Sequence, residues 1–183
     1  MFQQIVSYLA VALMTLLLPS FACHAEPLRM GYFELPPHTT PQGKTGVRPA
    51  LAYFSQIADQ MGVTVQFKAY PLPRLIDLVT HNKLDGALML ARSDERAALL
   101  DYPESPFLIT HPILLVRTDH PAKQARDVLN QTAAKVGGFK GGYRAISLPD
   151  TQCQWIWLSG EDILGRGMTM VHMKRLDGFF SPD

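Results

Sequence analysis

Val63-Thr64-Val65-Gln66-Phe67-Lys68-Ala69-Tyr70-Pro71-Leu72-Pro73-Arg74-Leu75-Ile76-Asp77-Leu78-Val79 carries two hydrophobic periods in one stretch. Val63, Val65, Phe67 and Ala69 alternate along it, which marks a strand with one face buried. Pro73 then opens a helix with Leu75, Ile76, Leu78 and Val79 on one side.

The flanking sequence repeats the alternation of element types. Upstream, Leu28 to Phe33 reads as a short buried strand, interrupted by Pro36-Pro37 and the turn residues Gly43 and Gly46. A helix follows, with Leu51, Phe54, Ile57, Ala58 and Met61 on one face and Gly62 as its stop. Downstream, Leu84 to Leu90 reads as a third strand, Ser93 caps a short helix through Leu100, and Phe107 to Val116 is the longest β-type run. Strand–helix–strand–helix–strand predicts a mainly parallel α/β sheet with helices on its faces.

Arg117 to Ala125 is polar and reads as a crossover between two lobes, after which the pattern restarts. Ala133 to Val136 is a predicted strand, Gly137 to Gly142 a glycine turn and Gln154 to Leu158 another strand. Ser159 is placed as the cap of a helix, and Leu176 to Phe180 as a last strand. The predicted organisation is 1–25 leader, 26–117 first lobe and 118–183 partial second lobe, which is few residues for an independent core. No internal repeat is visible.

All 17 Lys and Arg and all 16 Asp and Glu lie after Ala25. Ile5 to Leu18 is an apolar run ending at Pro19, followed by small residues up to Cys23-His24-Ala25-Glu26. This is the layout of a cleaved signal peptide with the cut at Ala25. The run is shorter than the roughly 20 residues of a spanning helix. An uncleaved anchor and a lipoprotein acylated at Cys23 are the competing readings. Cleavage leaves Cys153 as the single cysteine, read as a small buried hydrophobe.

A net charge of +1 argues against a nucleic-acid binder with a large basic field. No HExxH, Cys/His cluster, GxSxG, P-loop or GxGxxG is present, so metal, serine-hydrolase and nucleotide chemistry lack their usual signatures. The informative spot is Ala91-Arg92-Ser93-Asp94-Glu95-Arg96. With Ser93 as N-cap, Arg96 falls in the first helical turn, where a cation costs about 0.3–1 kcal/mol. An arginine there makes sense if an anion sits between it and the free backbone N–H groups. The alternative is a surface pair with Asp94, Asp101 or Glu104.

Leu28-Arg29-Met30-Gly31-Tyr32-Phe33, Pro36-Pro37, Gly43 and Gly46, Pro73-Arg74, Leu84-Asp85-Gly86-Ala87, Ser93-Asp94-Glu95-Arg96, Tyr102 and Ser105-Pro106 occur in an order that resembles the bacterial extracellular solute-binding protein family 3. The resemblance covers about Leu28 to Val116. It continues more weakly through Val136-Gly137-Gly138, Gly141 and Arg175-Leu176-Asp177-Gly178.

The resemblance implies a periplasmic-binding-protein-like α/β fold of two lobes with mainly parallel sheets, the second lobe incomplete. It implies a receptor that captures a small carboxylate-bearing solute, a polar amino acid by preference, for an ABC importer. The implied partners are that solute and an inner-membrane permease, with no cofactor, no nucleic acid and a monomeric state. It assigns Arg96 to the ligand carboxylate, Ser93 to its neighbouring hydroxyl, and the backbone at Leu90 and Ala91 to the same wall. Tyr32 or Phe33 matches the stacking aromatic, each also readable as core, and Arg74 a second polar contact, also readable as a solvated residue. Gly142 and Tyr143 match second-lobe donors, and Asp177 the second-lobe strand aspartate.

Two departures accompany the match. Family members hold an α-amine with an acid shortly after that aspartate, whereas here the next acid, Asp183, is displaced by one position. Members also continue through a second crossing between lobes. The rival readings are an enzyme on the same scaffold resembling arogenate or prephenate dehydratases, with Glu34 and His38 as candidate acids, a severed sensor domain, and a shortened copy that binds nothing.

Overall fold

The computed structural model describes residues 26–40, 48–142 and 151–183. Its first half contains β1 (Leu28–Tyr32), α1 (Pro49–Gln60), β2 (Val65–Ala69), α2 (Leu72–Thr80) and β3 (Gly86–Ala87). α1 begins on Pro49, buries Ala50, Leu51 and Ala58, and stops where Gly62 takes φ +68°. α2 has prolines on either side of Leu72 and buries Leu72 and Leu75. The strands align in parallel in the order β2-β1-β3.

The third strand is much shorter than the run Leu84 to Leu90 suggests. Only Met30↔Gly86 and Gly31↔Ala87 pair, and Met89 takes φ +61°, which ends the extended chain. The helix capped by Ser93 is likewise a single turn, α3 (Asp94–Ala97).

The second sheet is built from β4 (Pro112–Leu115), β5 (Lys135–Phe139), β6 (Gln154–Leu158) and β7 (Gly178–Pro182), in the order β4-β7-β5-β6. β5 is parallel to β6 and β7, and β4 is antiparallel to β7. The chain therefore crosses between sheets ahead of Pro112, and not after Val116. The polar segment expected to be the crossover instead leads from β4 into α4 (Ala125–Leu129). Asp127 in its first turn accepts from the backbone N–H groups of Lys123 and Gln124 at 3.0 and 2.9 Å.

The glycine turn predicted from Gly137 also moves. Gly137 and Gly138 lie inside β5, both buried. A Cβ on Gly137 would stand 2.7 Å from Leu176 and from Phe179, so close packing demands the glycine there. The turn itself is made by Gly141, at φ +76°. Helix α5 (Ile163–His172) starts after Asp162, which lies in the left-handed region at φ +46° and makes no side-chain cap, and Ser159 is not at the cap position.

The topology repeats although the sequence does not. β1-β2-β3 and β5-β6-β7 have the same parallel arrangement, with β1 and β5 central. The one shared signature is Leu-Asp-Gly before β3 and before β7. Asp85 accepts the backbone N–H of Arg29 at 2.7 Å, and Asp177 that of Lys135 at 2.8 Å. Each aspartate thus anchors the start of its sheet's central strand, at the end opposite the glycine turn of Gly141.

The Arg29 guanidinium also grips Asp85 with two hydrogen bonds, at 3.1 and 2.9 Å. These bonds, with the backbone N–H, lower the Asp85 pKa to about 2. The folded pKa lies below the unfolded one, so the stabilisation is complete above pH ~4 and disappears as pH falls through about 2. Asp85→Asn is expected to lower the melting temperature at pH 7 and to converge on wild type near pH 2. A pH-independent difference would contradict this account.

One apolar cluster joins the two sheets. Phe33, Leu35, Leu72, Leu75 and Leu84 from the first half pack in it with Phe139, Leu158, Ile163, Val171, Leu176 and Phe179 from the second. Phe33 and Phe139 follow the same register, each at the end of its sheet's central strand region, so the two strand ends meet in shared core. Among the described residues no helix is long and apolar enough to cross a membrane.

Candidate functional site

A cavity of about 860 Å³ runs from the β3 edge of the first sheet to the open face of the second. Leu84, Leu88 and Leu90 line one side, and Phe139, Trp157 and Phe180 the other. The size is in the range of small-molecule sites, roughly 300–1,000 Å³. Arg96 and Tyr102 lie on its wall beside Leu99 and Leu100.

Arg96 is held by its local sequence. Ser93 leaves the extended chain at φ −132°, and its Oγ accepts the Arg96 N–H at 3.3 Å. The side chain folds back, so that Nη1 donates to the carbonyl of Ala91 at 2.8 Å. Nη2 donates across the molecule to the carbonyl of Gly141, in the turn after β5. The Tyr102 hydroxyl shares the Ala91 carbonyl at 3.2 Å.

Arg96 therefore pairs with none of Asp94, Asp101 and Glu104 in an ion pair. It is half-buried, and desolvation lowers its pKa, against weaker opposing fields from Tyr102 and Glu95. Tyr102 is raised by the same desolvation, opposed by the charges of Arg96 and Arg92. A guanidinium with two carbonyl partners retains undirected N–H donors and a full positive charge, which suits a carboxylate.

The structure brings some of the sequence-selected residues together and separates others. Leu90, Ala91, Arg96, Phe33 and Gly142 all line the cavity. Phe33 is also part of the shared core, and the Gly142 N–H is already donated to the Phe139 carbonyl at 2.9 Å. Ser93 acts as a helix cap. Tyr32 is 2% exposed, packs with Leu51 and Leu88, and does not itself line the cavity. Arg74 is exposed and pairs with Asp77 one turn along its helix, at 2.5 Å. Asp177 sits at the far end of the second sheet, bonded to Lys135. Tyr143 lies outside the described residues.

The acids weighed for other roles are also engaged. Glu34 accepts the Asp162 N–H at 2.8 Å, a second polar link between the two halves. His38 hydrogen-bonds through its backbone to Leu35 and does not line the cavity. Asp183 accepts from the His111 backbone at 2.7 Å, which lowers its pKa. Among the described residues no cluster of His, Cys, Asp and Glu could hold a metal. Sequence reasoning missed the Gly141 carbonyl and the core that Phe33 and Phe139 share. A carbonyl leaves no mark in a sequence, whereas the matched positions of two aromatics, each four residues after the residue its aspartate anchors, could have pointed to the shared core.

The sequence matches no family model, and no curated protein matches it. Solved structures do match. An ancestral amino-acid-binding protein, a precursor of cyclohexadienyl dehydratase, gives a TM-score of 0.70 at 21% identity, covering 86% of this chain and 71% of its own. AbpA, an amino acid ABC transporter substrate-binding protein from Streptococcus pneumoniae bound to L-arginine, gives 0.68 at 19% identity, covering 86% and 68%. The GluR0 ligand-binding core from Nostoc punctiforme, in complex with L-glutamate, gives 0.71 at 18% identity, covering 85% and 69%. At these identities the likeness is one of fold: the chain has the two-sheet α/β architecture of amino-acid ABC transporter substrate-binding proteins and spans about 70% of their length.

Proposed function

We propose that the protein is a periplasmic receptor that captures a small carboxylate-bearing solute for an ABC importer, working as a monomer after removal of residues 1–25. The observation that carries this reading is Arg96. Its guanidinium lines the cavity, lacks an ion-pair partner among the described residues, and reaches a carbonyl from each half, Ala91 after β3 and Gly141 after β5. A carboxylate arriving there would compete with the Gly141 carbonyl for the same fork and exchange a neutral acceptor for a charged one. Binding and the approach of the two halves would then be linked through one side chain, which is the logic of hinge closure. Of the two lobes, expected as 26–117 and 118–183, the second takes in β4, so the segment ahead of Pro112 would flex.

Of the two acids weighed for an enzyme, Glu34 accepts the Asp162 N–H and His38 does not line the cavity, which supports binding over elimination chemistry. A melting screen against amino acids and simple carboxylates tests the proposal. At least one carboxylate is expected to raise the melting temperature by several degrees at millimolar concentration, while its amide does not. Equal effects of acid and amide would remove the role given to Arg96.

A further inference from the structure

We infer that the solute is a carboxylate with an apolar, aromatic or branched body and without an α-ammonium group, a deepening that rests on the receptor reading above. The first observation is the surface around the guanidinium. Leu99 and Leu100 follow Arg96 on the same turn, with Leu99 N–H and Leu100 N–H both donating to the Arg96 carbonyl at 2.9 Å. Leu90, Tyr102 and Phe139 complete the neighbouring wall. A molecule anchored by its carboxylate at Arg96 therefore meets hydrocarbon and ring surface next.

The second observation concerns acids. An α-ammonium sits two bonds from its carboxylate carbon, so a site that holds both needs an acid close to its arginine. The carboxylate field felt by Arg96 comes from Glu95, which is exposed on the same turn. Among the described residues the acids on the cavity wall are Asp85, held by Arg29, and Asp101 and Glu104, which are exposed. Asp183 is taken by His111. Among the described residues none of these carboxylates forms an ion pair with Arg96, so an ammonium on the α-carbon would lose its water at the apolar wall unless it reached the exposed Asp101 or Glu104.

The third observation is volume. A cavity of about 860 Å³ is far larger than a short polar side chain fills, and unfilled apolar wall contributes nothing to affinity. A ring or branched chain covers such a wall, while Arg96 fixes which end enters first.

Titration calorimetry on the purified protein with five probes tests the inference. 3-Phenylpropionate, L-phenylalanine and 3-phenylpropionamide share one ring and chain length but differ in ammonium and charge; L-arginine and L-glutamate represent polar amino acids. 3-Phenylpropionate is expected to bind at least about tenfold more tightly than L-phenylalanine and than the amide. Leu99 is 67% exposed, so Leu99→Asn leaves the fold undisturbed, and it is expected to weaken 3-phenylpropionate about fivefold. Equal or tighter binding of L-phenylalanine, L-arginine or L-glutamate overturns this inference and leaves the receptor reading standing. No binding of any carboxylate overturns both. An unchanged affinity in Leu99→Asn overturns the placement of the apolar body.

Discussion

Arg96→Ala is expected to abolish carboxylate-induced stabilisation, with a loss of affinity of about 100-fold, or about 3 kcal/mol. The fork supplies charge-assisted hydrogen bonds from a half-buried side chain held in place by two carbonyls. Arg74 is tied to Asp77, and Arg92, the other arginine on the cavity wall among the described residues, is exposed to water, which weakens any substitute it offers. The unliganded protein is also expected to soften, by about 1–2 kcal/mol, since Nη1 and Nη2 tie the Ala91 and Gly141 carbonyls together. Arg96→Lys separates the two effects. It keeps the charge but cannot present two parallel donors, so it should retain part of the affinity and lose the link to Gly141. The checks are melting curves with and without solute, and calorimetric titration. A wild-type shift in Arg96→Ala would move the site to another part of the cavity.

Phe179→Ala is expected to cost about 3–5 kcal/mol in chemical denaturation, and to lower the melting temperature by about 10 °C or more. The ring is fully buried at the centre of the second sheet and lies 5.7 Å from Phe139, centroid to centroid. Two glycines have yielded space to it. A Cβ would stand 2.7 Å from the ring on Gly137 and 2.4 Å on Gly167 of α5. The pair Gly167→Ala and Phe179→Ala should therefore be strongly non-additive. Alanine at 167 clashes in the wild-type core and fills space once the ring is gone. A Phe179→Ala cost below about 1 kcal/mol, or simple additivity, would show that helix α5 does not pack this closely.

Much of the element order was legible because hydrophobic period and breaker residues are local properties. The helices over Pro49–Gln60 and Leu72–Thr80 follow from apolar spacing with prolines at their starts, and Gln154 to Leu158 is a strand with the expected bounds. The misplacements share a cause. Leu84 to Leu90 looks like a strand, but Met89 turns left-handed and only two residues pair. Gly137-Gly138 looks like a turn, but a ring and a leucine press on the strand from the other side. Phe107 to Val116 looks like a first-lobe strand, but its second half pairs with β7. Each depended on a partner remote in sequence.

The site divides in the same way. Ser93 as cap and Arg96 in the first turn were apparent from spacing alone, because capping involves neighbours three residues apart. The separation of Tyr32 from Phe33 was not, since adjacent residues of a strand point to opposite faces and either face could have been core.

By itself, then, the order of residues determined an alternating α/β chain with an arginine three residues after a capping serine, since both are set by groups within a few residues of one another. Only the tertiary structure decided that this arginine meets the Gly141 carbonyl, that Phe33 and Phe139 share a core, and that Arg96 lines one cavity with Leu84, Phe139 and Phe180. Those facts depend on which loops and strand ends the packing of two sheets brings together, and contacts 45 residues apart leave no periodic trace along the chain.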